Sequence, residues 1–253
     1  MKNAVQFCGL VLVICLAPIA FAQTSVSLTG VAGQTYDGIY VSPYYATVGG
    51  VSNVPVVCDD FADESYLGST WNATVTSFSS INSSNTSWGI AGQNTALYGA
   101  VGYLTNLVLT AAPGSTAQVI DTFALWAVFD PTGVESYLAS HPITSGSLTT
   151  AALCSSIFGT NGCTSSVAVA GGLLYTAENS GYTLGQFSNL VVLSPNNKDG
   201  SLCKAENNCL SQEFISLSVA EGGTTAAYLL LAGFCCMGGI FLRSRRLATR
   251  TVA

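Results

Sequence analysis

The order of sequence patterns predicts an α+β fold: a β-rich N-terminal half, a central group of helices, C-terminal strands, and then a single transmembrane helix. Three observations carry this expectation. Runs rich in β-branched and aromatic residues fill positions 26–78. Apolar positions at helical spacing replace them from Thr95 onward. An uncharged apolar stretch at 224–242, followed at once by arginines, comes near the chain end.

Taken in order, residues 1–22 read as a secretory signal peptide. Lys2 gives a minimal positive start, Phe7 to Ala17 an apolar segment of the right length, and Ala20 and Ala22 a small-x-small cleavage site before Gln23. The exported α+β domain is then 23–217. Val26–Val31, Ile39–Val48, Val54–Cys58 and Trp71–Phe78 read as strands separated by Gly, Asn and Pro, and 79–93 as a loop. Leu97, Val101, Leu104, Leu107 and Val108 place a helix over 95–109. A second helix spans 116–129 and is stopped by Asp130 and Pro131, and a short one follows over 132–139. Residues 140–164 are polar. Residues 165–179 read as a helix weakened by Gly171 and Gly172, and 187–193 and 213–219 return to strand character.

The composition excludes several functions. Of 253 residues, 49% are apolar and only 8% charged, against roughly 25% charged in ordinary soluble domains. No Lys or Arg lies between positions 3 and 197, so the folded part has no basic patch for nucleic acid. Within 23–223 stand all 13 acids against two Lys, a net charge of −11, together with 49 Ser and Thr. Hydroxyls and amides, rather than ion pairs, must wet this surface, which suits an extracellular protein that hydrogen-bonds neutral polymer or glycan. A single His, His141, excludes a multi-His metal site, and the absence of a CxxC pair argues against zinc. No G-x-S-x-G elbow, phosphate-binding Gly-rich loop or dinucleotide fingerprint occurs. These absences lead to an expectation of no catalytic residue, no cofactor and no metal.

Cysteines point to an oxidising compartment. With Cys8 and Cys15 in the signal and Cys235 and Cys236 in the apolar span, five remain outside. Cys154/Cys163 and Cys203/Cys209 bracket short polar loops and are the preferred pairs of three possible connectivities. Cys58 is left over, as a buried thiol, an intermolecular link or a reactive group. Beside it, Asp59, Asp60, Asp63 and Glu64 form an acidic cluster that reads as a solvated turn rather than a Ca²⁺ loop, since it lacks EF-hand spacing. The sequons at Asn72, Asn82 and Asn85 would matter only in a eukaryotic glycoprotein.

The C-terminal region, 218–250, has three parts: a motif at 218–223 (Ser218, Val219, Ala220, Glu221, Gly222, Gly223), an apolar span at 224–242, and a basic tail at 243–250 with Arg243, Arg245 and Arg246. By the positive-inside rule the arginines stay cytoplasmic and halt transfer. This architecture resembles the PEP-CTERM sorting signal. Glu221 matches the motif Glu and Gly222 and Gly223 match its Val-Pro-Glu-Gly-Gly variant, whereas Ala220 stands where Pro is expected. The exported domain also resembles exported PEP-CTERM proteins at Val57–Phe61, Trp71 to Ala73, the Tyr98 helix, Phe123–Pro131, Phe187–Val192 and Gln212–Ile215. The resemblance implies a non-enzymatic protein met by signal peptidase and an exosortase-like processing enzyme. It would be anchored transiently in the inner membrane through one helix, then sorted to the cell surface or exopolysaccharide matrix.

Two other readings accompany it. One is a type I membrane protein that keeps its anchor. The other is a surface adhesin or carbohydrate-binding module. Cys58 near a strand exit and a helix ending Ala124, Leu125, Trp126 resemble the thioester domains of surface adhesins. Those domains place Gln four residues before the Trp. Here that position is Thr122, with Gln118 one turn earlier, so the resemblance is to a scaffold without an evident thioester.

Overall fold

The computed structural model describes residues 23–218, apart from 33–34, 37, 42, 62, 143–147, 165–166 and 206–210. The strands are β1 (Gln23–Val31), β2 (Thr35–Tyr36), β3 (Ile39–Tyr40), β4 (Tyr44–Val48), β5 (Val51–Cys58), β6 (Thr70–Ser77), β7 (Leu190–Pro195) and β8 (Phe214–Leu217). Between β6 and β7 come six α-helices among the described residues: α1 (Ser87–Ile90), α2 (Tyr98–Thr110), α3 (Thr116–Ala127), α4 (Pro131–Ser140), α5 (Thr150–Phe158) and α6 (Leu173–Asn179).

Six strands close into an antiparallel barrel in the order β1-β4-β5-β8-β7-β6, with β6 returning to β1; β2 and β3 form a separate hairpin. This corrects the expected α+β layering. The N-terminal and C-terminal strands are not separate groups, because β7 and β8 fill the gap between β5 and β6. That pairing joins residues more than a hundred positions apart, which the run of strand patterns along a chain does not encode. Among the described residues no helix is long and apolar enough to cross a membrane. The expected span 224–242, the basic tail, the motif residues from Val219 onward and the signal 1–22 lie outside the described residues.

Alternation gives the barrel two differently occupied faces. Val26, Leu28, Ala46, Val56 and Ala73 are buried in the barrel, where Phe214 stacks on Trp71 and meets Tyr44 edge-on. The outer row Val57, Ile215 and Val192, on adjacent strands β5, β8 and β7, joins the helices in one continuous core. The outer faces of β1 and β4 instead carry hydroxyls and half-buried positions.

Four of the six described helices start at a capping side chain. Thr86, Ser115 and Thr149 accept from the backbone N–H groups of Gly89, Gln118 and Ala152 at 3.0, 3.2 and 3.2 Å. Asp130 caps α4 through Gly133 N at 2.8 Å, with Pro131 in the first turn. Helix α3 is buried along most of its length, from Thr122 through Ala127, so it forms the centre of the helical layer. On α2, Gly99 and Gly102 let the chain at Tyr182 and the Phe187 ring approach closely; a Cβ at Gly99 would stand 2.3 Å from the Tyr182 carbonyl. The polar stretch 140–164 holds α5 rather than only loop, and the expected helix 165–179 contracts to α6, starting after Gly171 and Gly172. Gly171 has φ +97°, which a continuing helix does not accommodate.

Candidate functional site

The chemically richest place in the fold is the junction where β5 leaves the barrel beneath α1 and α2. Strand β8 places Ile215 on the helix-facing row, and Glu213, two residues earlier, shares that face. Glu213 is fully buried. One of its carboxylate oxygens, Oε2, accepts the Ser87 backbone N–H at 2.7 Å and the Ser194 hydroxyl; the other, Oε1, accepts the Tyr98 hydroxyl. A single side chain thereby joins β8, β7, α1 and α2. Asp59 follows β5, donates its backbone N–H to the Glu213 carbonyl at 3.4 Å, and is also fully buried.

The two acids hold protons differently. Burial, then the nearby Glu213 and Asp60 charges, push the Asp59 carboxyl well above the usual carboxylate range. Burial also raises Glu213, but donation from Ser194, Tyr98 and Ser87 opposes the rise. The donors around Glu213 favour its charged form, and Asp59, without them, is pushed further toward the neutral acid. With both ionised, neither Asp59 oxygen has a donor. The neighbouring Glu213 side chain adds to the rise of Asp59. The Tyr98 phenol is raised too, by burial and then by Glu213 and Asp59, and stays neutral.

Cys58 is sealed next to this pair. Its Sγ donates to the Asp60 carbonyl at 2.9 Å and accepts the Asp60 N–H at 3.3 Å. Burial, then Asp60 and Asp59, push the thiol well above its ordinary value, so it is not a thiolate nucleophile. Trp126 on α3 donates its indole N–H to the Cys58 carbonyl at 3.0 Å and packs against Phe61 and Phe123. The fold thus brings Cys58 and Trp126 together. The acyl partner is missing. Thr122 donates to the Val41 and Gln118 carbonyls at 3.1 and 2.8 Å. Gln118 is tied both ways, to the Val108 carbonyl and from Gly114 N–H, at 3.1 and 2.9 Å.

The expected solvated acidic turn is corrected: Asp59 and Asp60 are buried and only Glu64 of the four is exposed. Asp60 turns the chain inward by accepting Asp63 N–H at 3.2 Å, and its carbonyl accepts the Gln212 amide at 2.6 Å. Among the described residues no group of three or more His, Cys, Asp or Glu is placed to hold a metal ion. Cys154 and Cys163 form a disulfide between α5 and the turn after it. Cys203 is also disulfide-bonded, while its expected partner Cys209 lies outside the described residues. Gln23 opens β1, far from this junction in sequence. His141 ends α4 exposed, stacked on Tyr137.

Ser194 and Ser87 were not singled out by the sequence, and Glu213 and Tyr98 stood only within segments of the resemblance, without a role. Glu213 between Gln212 and Phe214 offered one signal, an acid directly before a short apolar strand. No protein-family model, curated protein or solved structure matches this chain.

Proposed function

We propose that the chain is a non-enzymatic exported protein. In this reading it is carried across a membrane by residues 1–22, processed in its C-terminal tail by an exosortase-like enzyme, and placed at the cell surface or in an exopolysaccharide matrix. The observation that carries the reading is the Cys154–Cys163 disulfide, since such bonds persist in oxidising compartments. The other chemistry fits a scaffold better than a catalyst. The free thiol among the described residues, Cys58, is buried and protonated, and the Asp59–Glu213 pair is sealed beneath the helices. The barrel–helix body is then the delivered cargo, and Glu221, Gly222 and Gly223 belong to the processing signal.

Fractionation of cells producing the full chain tests this. The surface or matrix fraction should hold a form beginning at Gln23 and lacking the basic tail, by intact mass. Retention of uncleaved chain in the inner membrane would refute sorting and favour the type I anchor. The adhesin or carbohydrate-binding alternative gains support from a polar cleft on the barrel rim.

A further inference from the structure

At the end of the barrel where β1 begins, β1 and β6 pair with Gln23 opposite Thr74, and β6 pairs with β7 with Thr74 opposite Ser194. Two turns rise beside this edge. In one, Asn82 Oδ1 accepts Ser84 N–H and hydroxyl at 2.9 and 2.6 Å. In the other, the chain after β7 reverses at Asn197–Gly200, where Gly200 has φ +84°, and returns so that Leu202 bridges Asn196. Between them lies a cleft of ≈ 300 Å³ lined by Gln23, Thr74, Ser84, Asn85, Gly200 and Leu202, at the lower end of the about 300–1,000 Å³ range of ligand sites.

The lining offers both acceptors and donors. Gln23 gives one of its two amide N–H groups to the Gly200 carbonyl at 3.1 Å, which leaves the other N–H as a donor and Oε1 as an acceptor. Thr74 spends its hydroxyl proton on Asn196 Oδ1 at 2.9 Å, and Ser84 spends its own on Asn82, so both oxygens keep acceptor lone pairs. Asn85 is held at both ends, giving one Nδ2 proton to the Ser80 carbonyl and accepting Asn82 N–H, each at 2.8 Å, and keeps a second Nδ2 proton. Directly behind Thr74, the Asn196 side chain is buried with its Nδ2 lacking any partner, a donor held one side chain from the cleft floor. None of the lining residues is charged, and in the adjacent turn Lys198 and Asp199 offset each other. An uncharged surface that mixes hydroxyl and amide acceptors with the remaining amide N–H groups of Gln23 and Asn85, and has one apolar side, Leu202, lacks a cation to hold an anion and suits a ligand with several O–H groups and a C–H face.

We propose that this cleft binds a sugar unit of a neutral glycan, with Gln23 Oε1, Thr74 Oγ1 and Ser84 Oγ accepting its hydroxyls and Leu202 packing against its ring. The assignment deepens the surface-protein reading by naming the chemical class that the protein meets, and rests on that reading only for where the glycan is met. Backbone amide shifts of the purified mature protein are followed by NMR. The probes are neutral cello-, manno- and galacto-tetrasaccharides, with an acidic alginate tetrasaccharide as the charged control. At least one neutral probe should shift residues 23, 74, 84 and 200, and alginate should not. Thr74→Val keeps a β-branched strand residue and Ser84→Ala alters an exposed turn; each should weaken binding by about tenfold or more. Tyr45→Ala, on the outer face of β4, should bind as the parent does. The proposal is overturned if none of the neutral probes binds, if the shifts centre on Tyr45 or Tyr66, if alginate binds preferentially, or if both cleft variants retain parental affinity. Fractionation reads the location separately, so failure of one result leaves the other interpretable.

Discussion

Replacing Glu213 by Gln isolates the value of its charge, because the two side chains have nearly the same shape. In the parent, Oε2 accepts Ser87 N–H at 2.7 Å and the Ser194 hydroxyl, and Oε1 accepts Tyr98. A Gln oxygen at the Oε2 position keeps the first two, but its NH₂ then faces the Tyr98 hydroxyl, which must turn its proton elsewhere. Bonds to a charged acceptor are worth about 1.5–3 kcal/mol against about 0.5–1.5 for neutral ones. Three weakened bonds would cost about 3 kcal/mol, and relief of burying the charge returns part of it. The net loss should be about 2 kcal/mol, a large fraction of a typical stability of roughly 5–15 kcal/mol.

The assay is urea unfolding followed by tryptophan fluorescence across a pH series. Asp59 has a raised folded pKa, so the stability it contributes is complete at low pH and is lost as pH rises through that raised value. The parent should therefore weaken toward alkaline pH, and Glu213→Gln should flatten that slope by removing the charge that most raises Asp59 after burial. A Gln variant as stable as the parent at neutral pH would refute the reasoning, since desolvation would then outweigh the three donors.

Three further outcomes follow from single residues. Burial lifts Asp121 on α3 from its ordinary 3.8 to about 6, so its folded form favours the proton and stability is lost as pH rises through that window; Asp121→Asn should recover about 1–2 kcal/mol at neutral pH after allowing for solvent that reaches the group, and an unchanged unfolding midpoint would contradict this. Removing the Cys154–Cys163 bond, which closes a loop of sequence separation 9, should cost about 2–3 kcal/mol in the same assay, and an unchanged stability of the Cys154→Ala, Cys163→Ala double variant would count against it. Cys58, buried and protonated, should not react with a thiol reagent until the chain unfolds, and rapid labelling of the folded protein would show that it is reachable.

The strands and helices were legible wherever local pattern decides them. Val26–Val31, Val54–Cys58 and the Tyr98 helix stand where β-branched runs and helical spacing put them. The path 39–48 divides into β3 and β4, and α5 was hidden because its Ser- and Thr-containing surface reads as polar loop. Barrel closure was not legible, because Val191 opposite Ser77 and Val57 opposite Ile215 are long-range choices made by packing. The junction was half legible. Cys58, Asp59, Asp60 and Trp126 stood out, but their burial depends on Tyr98, Ser87 and Ser194 arriving from elsewhere with hydrogen bonds for Glu213.

The strand order also sets a timetable for folding. A chain emerging from its N-terminus can build the sheet β6-β1-β4-β5 first, with β5 and β6 as open edges. Residues 78–189 must then pass before β7 appears, and the barrel closes only when Phe214–Leu217 slots between β5 and β7. Until then two edge strands stand ready to pair with neighbouring molecules, and the long separation makes closure slow. That interval is when aggregation competes with closure.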